Sequence, residues 1–249
     1  MADRPDTLRI SATLYTTWLN CPTSAQARLD GHYQPPTIHT FRGLLAHRIF
    51  AHHLNHGPIP PDNYIQVARS EIGGSQLNYI IRDLGLKPSQ VRLEIDRSQH
   101  LYDVWQTLPL HRYGYTGIEE SFTVPLNPGA ELVGRVDAVT RTGQIIDWKT
   151  GSLDNAEPQL AFDLLAWTLA GRTEPGITPS AAAIAIPTGE VLTVTYTPTL
   201  AAKLADDLAQ LIADLTGPTP PPRGGPWCRY CPIHQTCPEG AATLELITR

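Results

Sequence analysis

A chain of 249 residues, 41% hydrophobic and 17% charged, suffices for one large domain or for a core with an appended helical part. Its apolar runs are too short to span a bilayer, and the opening MADRPDTLRI is charged where a signal peptide is apolar, so a cytoplasmic protein without membrane partners is expected. A net charge of −5 and a pI of about 6.0 exclude a broadly basic nucleic-acid binder but not a local basic groove.

Residues 11–30 read as a short helix capped by Ser11, interrupted at Cys21-Pro22 and then resumed. Residues 41–56 form a helix with Leu44, Leu45, Ile49 and Leu54 on its apolar stripe, ended by Pro58, Pro60 and Pro61. Two more helical patterns cover 62–84 and 88–108, separated by Gly85 and Pro88. The character changes near residue 115. Ile118–Val124, Leu132–Thr140 and Gln144–Thr150 read as strands, the last two joined by a tight turn at 141–143. An apolar helix follows over Pro158–Leu169, then a strand pair (Ala181–Pro187, Glu190–Thr197) around Thr188-Gly189, then a helix over Thr199–Leu215. The order β-β-β-α-β-β-α predicts an α/β domain with one mixed sheet flanked by helices. Residues 217–226 are a proline/glycine linker leading to a cysteine segment and an ordinary tail. The expected organisation is one domain over 1–249: a mostly helical part (1–114), a sheet core (115–216), and the linker with the cysteines (217–249).

Two segments carry chemistry: GRVDAV around Asp137, and DWK at Asp147–Lys149. Alternation along a strand puts Asp147 and Lys149 on one face and Trp148 on the other, and the short turn makes the strands antiparallel neighbours, so Asp137 can approach Asp147. Two carboxylates so close require a cation, and Mg2+ or Mn2+ suits carboxylate oxygens. A lysine two positions on can orient a water or stabilise charge on a phosphate under attack. The plain alternative is a hairpin with solvated charges, since D-x-K is common by chance. The apolar Ile145-Ile146 run leading into Asp147 argues against it. So does Gly134, which inside a strand marks a close approach.

GRVDAV, a short turn, IIDWKTG and PQLAFDLLAW together resemble the RecB-type branch of the PD-(D/E)XK nucleases, on Gly134, Asp137, Asp147, Lys149, Thr150 and Gln159. The resemblance implies a restriction-endonuclease-like fold. It makes Asp137, Asp147 and the backbone carbonyl of Trp148 metal ligands, Lys149 the catalytic lysine, and Gln159 a further site residue. A tyrosine is usual four residues after the glutamine; Asp163 stands there and puts DNA contacts on that helix in doubt. The same branch has a helical G-x-x-x-H, matched by Gly43 and His47, so His47 is the expected third metal ligand, against the plain reading of a surface or core-edge histidine. Glu119 stands where the family often has a glutamate.

Cys228, Cys231 and Cys237 cluster in WCRYCPIHQTCP, and Cys21 stands about two hundred residues earlier. Three thiols cannot complete a four-ligand site, and Cys21 is the remaining cysteine. Structural zinc accepts the same four thiolates, and His234 could replace one of them. The pattern of one early cysteine plus C-x2-C-x5-C around a RecB-type core resembles the iron–sulfur nucleases, the Cas-four-type exonucleases and the AddAB-like nuclease subunits among them. That resemblance implies a structural 4Fe-4S cluster clasping the two ends of the domain.

Three functions follow as expectations. The first is a metal-dependent DNA exonuclease acting on single-stranded ends, in recombination, repair or CRISPR adaptation. The second is the nuclease component of a helicase–nuclease complex, the helicase lying in another chain because no G-x4-GK-[ST] motif is present. The third is a non-catalytic DNA-end-binding iron–sulfur module, against which the intact Asp137, Asp147 and Lys149 argue. The group includes ring-forming members, so an oligomer is open. Tyr113, Tyr115 and Trp105 are candidates for stacking on bases, though such residues more often fill a core.

Overall fold

The structure is a computed structural model and describes residues 7–108, 114–126, 129–218 and 220–247. Tyr113 lies outside the described residues.

The chain runs β1 (Leu8–Ile10), α1 (Ala12–Asn20), α2 (Pro22–Leu29), α3 (Ile38–His56), α4 (Tyr64–Gly73), α5 (Leu77–Asp83) and α6 (Pro88–Thr107), then β2 (Tyr115–Pro125), β3 (Ala130–Thr140) and β4 (Ile145–Lys149). It continues with α7 (Ala156–Leu169), β5 (Ser180–Ala185), β6 (Val191–Thr195), α8 (Pro198–Thr216) and α9 (Pro238–Ile247). Local chemistry sets the boundaries. The Ser11 hydroxyl accepts the Leu14 N–H at 3.2 Å and caps α1. Pro22, lacking an N–H, stops that helix and starts α2 at its first position. Thr37 and Thr40 form a reciprocal capping box at the start of α3.

Three elements differ from expectation. β1 is only three residues long, too short for alternation to reveal, and exists because β3 offers it a parallel edge. The single helix expected over 62–84 is broken after Gly73-Gly74 into α4 and α5, preceded by a 3-10 turn at Pro61–Asn63. The tail after the cysteines is the helix α9.

The sheet is mixed: β2 and β4 lie antiparallel to β3, β5 parallel to β4, and β6 antiparallel to β5. A strand has two edges, and β2 occupies one edge of β3 along almost its whole length. β1 and β4 therefore share the other, β1 against Ala130–Leu132 and β4 against Ala138–Val139 only. Between them β3 is unpaired on that edge, and there Asp137 lies.

Each face of the sheet carries its own core. One joins Ile10, Leu14, Trp18, Leu160, Leu164 and Leu211 through α1, α7 and α8. The other joins Phe41, Leu45, Ile49, Phe50, Trp105 and Trp148 through the helices from α3 to α6. Phe50 stacks on Trp105 with ring centres 4.9 Å apart, and Trp148 meets Trp105 edge-on at 5.7 Å. Trp105 is thus core rather than a base-stacking surface, and Tyr115 is partly buried against Trp148. Among the described residues no helix is long and apolar enough to cross a membrane.

Candidate active site

The β3–β4 ladder ends at Ala138 opposite Ile146. One step further the strands part, and the Trp148 N–H donates to Asp137 Oδ2 at 2.8 Å instead of to backbone. A buried amide left by the splayed strands is thereby satisfied by a carboxylate. The other oxygen, Oδ1, meets His47 Nδ1 at 3.1 Å, delivered by α3. Gly43, one turn earlier, lets that helix close on the sheet: a Cβ there would stand 3.2 Å from Thr150 Oγ1. G-x-x-x-H therefore combines a contact point and a histidine directed at Asp137 on one face of a helix.

Asp147, Lys149 and Gln159 form a second set. Lys149 Nζ stands 2.8 Å from Asp147 Oδ2 and donates to Gln159 Oε1 at 2.6 Å. Gln159 Nε2 donates to Asp147 Oδ1 at 3.1 Å. The buried Asp147 Oδ2 thus has the lysine ammonium as its close neighbour. Trp148, between these polar residues in sequence, points into the aromatic core, as alternation requires.

Asp163, one turn beyond Gln159 on α7, is a third carboxylate of this site. It is 6% exposed, takes a hydrogen bond from Gln159, and feels Asp147 and Asp137. The i, i+4 spacing on a helix that faces the sheet could have revealed it. Its difference from the tyrosine usual in the resembling family pointed only to lost DNA contacts.

Burial and crowding set the protonation of the group. Burial, reinforced by Asp147 and Asp137, pushes the Asp163 carboxyl up to about 8. Burial also raises Asp147, with Asp137 adding to it and Lys149 opposing. Burial raises Asp137 too, but His47, the Trp148 N–H and Lys149 outweigh it and hold this carboxyl below its usual range. His47 loses basicity by burial and regains more from Asp137 and Asp147, so its net shift is upward. Asp147, Asp163 and His47, crowded in one low-dielectric place, therefore hold protons more tightly than usual, and a divalent cation would compete with them.

Among the described residues no three His, Cys, Asp or Glu side chains stand in metal-holding geometry as they are; His47 and Lys149 instead occupy the carboxylates. The donor set nonetheless fits a hard cation, with two neighbouring carboxylates, one imidazole and a buried Asp147 oxygen whose near neighbour is the movable lysine ammonium.

Gly134 has a packing cause: a Cβ there would lie 2.3 Å from the ring of Phe122, which meets Trp167 edge-on at 6.3 Å. Glu119 sits between the pairs Ile118–Ala138 and Glu120–Val136, across from Asp137 in register. It has a left-handed φ of 52°, a conformation that costs free energy, and its carboxylate goes to Arg135 at 3.4 Å.

The four cysteines are free of disulfides and line one small cavity. The linker lies across α1 and α2: Thr23 Oγ1 donates to the Pro220 carbonyl at 2.8 Å, and the Arg223 N–H donates to Cys21 Sγ at 3.4 Å. The Gly240 N–H, in the first turn of α9, donates to Cys237 Sγ at 3.4 Å, while Cys231 Sγ donates to Ser24 Oγ at 3.4 Å. His234 Nδ1 is occupied by the Cys231 carbonyl at 2.7 Å.

The sequence profile of the PD-(D/E)XK nuclease superfamily matches residues 9–238, and the chain belongs to that superfamily. No curated protein sequence matches it significantly. Among solved structures, a candidate exonuclease from Eubacterium rectale is similar over 86% of this chain and 84% of its own, with a TM-score of 0.55 at 12% identity, a likeness of fold. SSO0001 aligns over 92% of this chain and 85% of its own, with 14% identity and a TM-score of 0.43.

Proposed function

We propose that the protein is a metal-dependent DNA exonuclease acting on single-stranded ends in the cytoplasm, in recombination, repair or CRISPR adaptation, with a 4Fe-4S cluster on Cys21, Cys228, Cys231 and Cys237. The observation that carries the catalytic reading is the linked set Asp137–His47 and Asp147–Lys149–Gln159 at the parting of β3 and β4.

His47, Asp137, Asp147 and the Trp148 carbonyl would hold Mg2+ or Mn2+, which supplies charge neutralisation at the phosphate and a more acidic water. The chain's own groups do the positioning. Trp148 N–H fixes the Asp137 carboxylate, and Gln159 spans Lys149 and Asp147 so that the ammonium stays beside the carboxylate pair. There Nζ can orient the attacking water or meet the charge developing on the phosphoryl oxygens. The nearby aromatic core excludes water from one side of β4 and strengthens these interactions.

The cysteine assignment rests on four thiols around one cavity and on backbone N–H groups directed at Cys21 and Cys237, the kind of donor that stabilises ligand sulfurs. The fit of four thiolates to zinc is the competing assignment.

The test is cleavage of end-labelled single- and double-stranded DNA by purified protein, with Mg2+ or Mn2+, without ATP or partner, against an EDTA control. Loss of cleavage in Asp147→Asn and Lys149→Ala is the expected result. Undiminished cleavage by Asp137→Ala, with metal binding also unchanged, removes the catalytic reading. Cleavage only with a helicase and ATP selects the subunit of a larger complex instead.

A further inference from the structure

Next to the site, on the α3–α6 side, lies a cavity of about 710 Å³ bordered by Thr150 and Gly151, the two residues after Lys149. Arg42 of α3 and Arg97 of α6 line it, together with His39 and His100. Both guanidiniums are held by one carboxylate: Arg42 Nε lies 2.6 Å from Glu94 Oε2, and Arg97 NH1 lies 2.7 Å from Glu94 Oε1. The Glu94 side chain is 3% exposed, whereas that of Arg97 is 50% exposed.

A buried carboxylate between two arginines serves their geometry. Its desolvated charge needs cations beside it, and each guanidinium spends one N–H of its five on that contact, leaving the others for a ligand. The group carries a net charge of +1, two cations against one anion. Glu94 stands behind the two guanidiniums, and Asp96, the carboxylate in the cavity's lining, pairs with Arg92 at 2.9 Å. In a protein with net charge −5 this is a built, locally positive recess bordered by the two residues that follow Lys149.

We propose that Arg42 and Arg97, clamped by Glu94, form a phosphate-binding subsite that holds a phosphate of the DNA strand adjoining the one being cut; this rests on the nuclease reading above. Planar guanidiniums match phosphate oxygens in pairs, and fixing them beforehand removes ordering cost at the moment of binding. The strand then enters along Thr150–Gly151 with its register set by the neighbouring phosphate, while the strongly acidic centre alone would repel it.

The experiment is equilibrium binding of fluorescent oligothymidylate twelve nucleotides long, with and without a 5′-phosphate, in EDTA so that nothing is cut, at several salt concentrations. Arg97→Ala is expected to bind about tenfold more weakly and to lower the salt slope by about 0.7, one single-strand phosphate contact. Arg97→Lys recovers the slope, and an unchanged melting temperature shows that Arg97→Ala is folded. An equal loss for both oligonucleotides places an internal phosphodiester in the subsite; a loss confined to the phosphorylated one places the 5′-terminal phosphate there. Wild-type affinity and slope in Arg97→Ala overturn the subsite and leave the nuclease reading intact. If wild type binds but cuts nothing while Arg97→Ala still weakens binding, the subsite stands and the nuclease reading falls. Protein that neither binds nor cuts DNA removes both.

Discussion

Replacing Asp163 by Asn tests the electrostatics of the centre without touching its proposed ligands. The carboxyl is buried on α7 beside Asp147, and its pKa is pushed up to about 8 from the usual 3.8. In that window the folded chain keeps a proton that the unfolded chain has released, so the folded state binds more protons and its stability falls as pH rises. Each pH unit is worth about 1.4 kcal/mol, so the cost grows by about 3 kcal/mol between pH 5 and pH 7, and levels off above about 8. Asn has the same shape, accepts the Gln159 N–H through its oxygen, and carries no charge. Asp163→Asn is therefore expected to gain stability over wild type progressively from pH 5 to pH 8, read by urea unfolding in EDTA at pH 5, 7 and 8.5. A stability difference that is flat across the three pH values refutes the placement of a protonated carboxyl at this position.

Gly134→Ala puts a Cβ into the Phe122 ring, and a loss of about 1–3 kcal/mol in unfolding free energy is expected; an unchanged midpoint would mean the ring has room to move. Mn2+ is expected to raise the melting temperature of wild type, with half the metal-induced gain or less in Asp147→Asn, since a cation that binds only the folded state stabilises it by mass action. An equal gain in both proteins would place the ion elsewhere. Cys21→Ser and Cys237→Ser, from opposite ends of the chain, are expected to lose bound iron together and to fall in melting temperature by similar amounts. Iron retained in either variant, or a colourless wild type carrying one zinc, removes the cluster assignment.

Much of the site is legible along the chain because its chemistry is local. Asp147 and Lys149 share a strand face by alternation, and Gly43 and His47 share a helix face by one turn. Gln159 lies just past the hairpin on the next helix. Asp163 shows the limit: its helical spacing from Gln159 is visible, but its burial and the summed field of Asp147 and Asp137 are not, and these push its carboxyl up. Glu119 is visible as a strand residue across from Asp137, whereas its left-handed backbone and its ion pair with Arg135 are not.

The sequence by itself determined the superfamily, the order of most helices and strands, and which acid, lysine and histidine side chains to look for in one place, because periodicity and short spacings encode contacts within a few residues. Only the tertiary structure decided that β1 and β4 divide one edge of β3 and leave Asp137 in the gap. Only the tertiary structure sent the linker back across α1 and α2, bringing Cys21 to one cavity with the distant cysteines. It also placed Arg42 and Arg97, 55 positions apart in the chain, on one buried glutamate. These are long-range choices, made by which faces must be buried together, and no local pattern carries them.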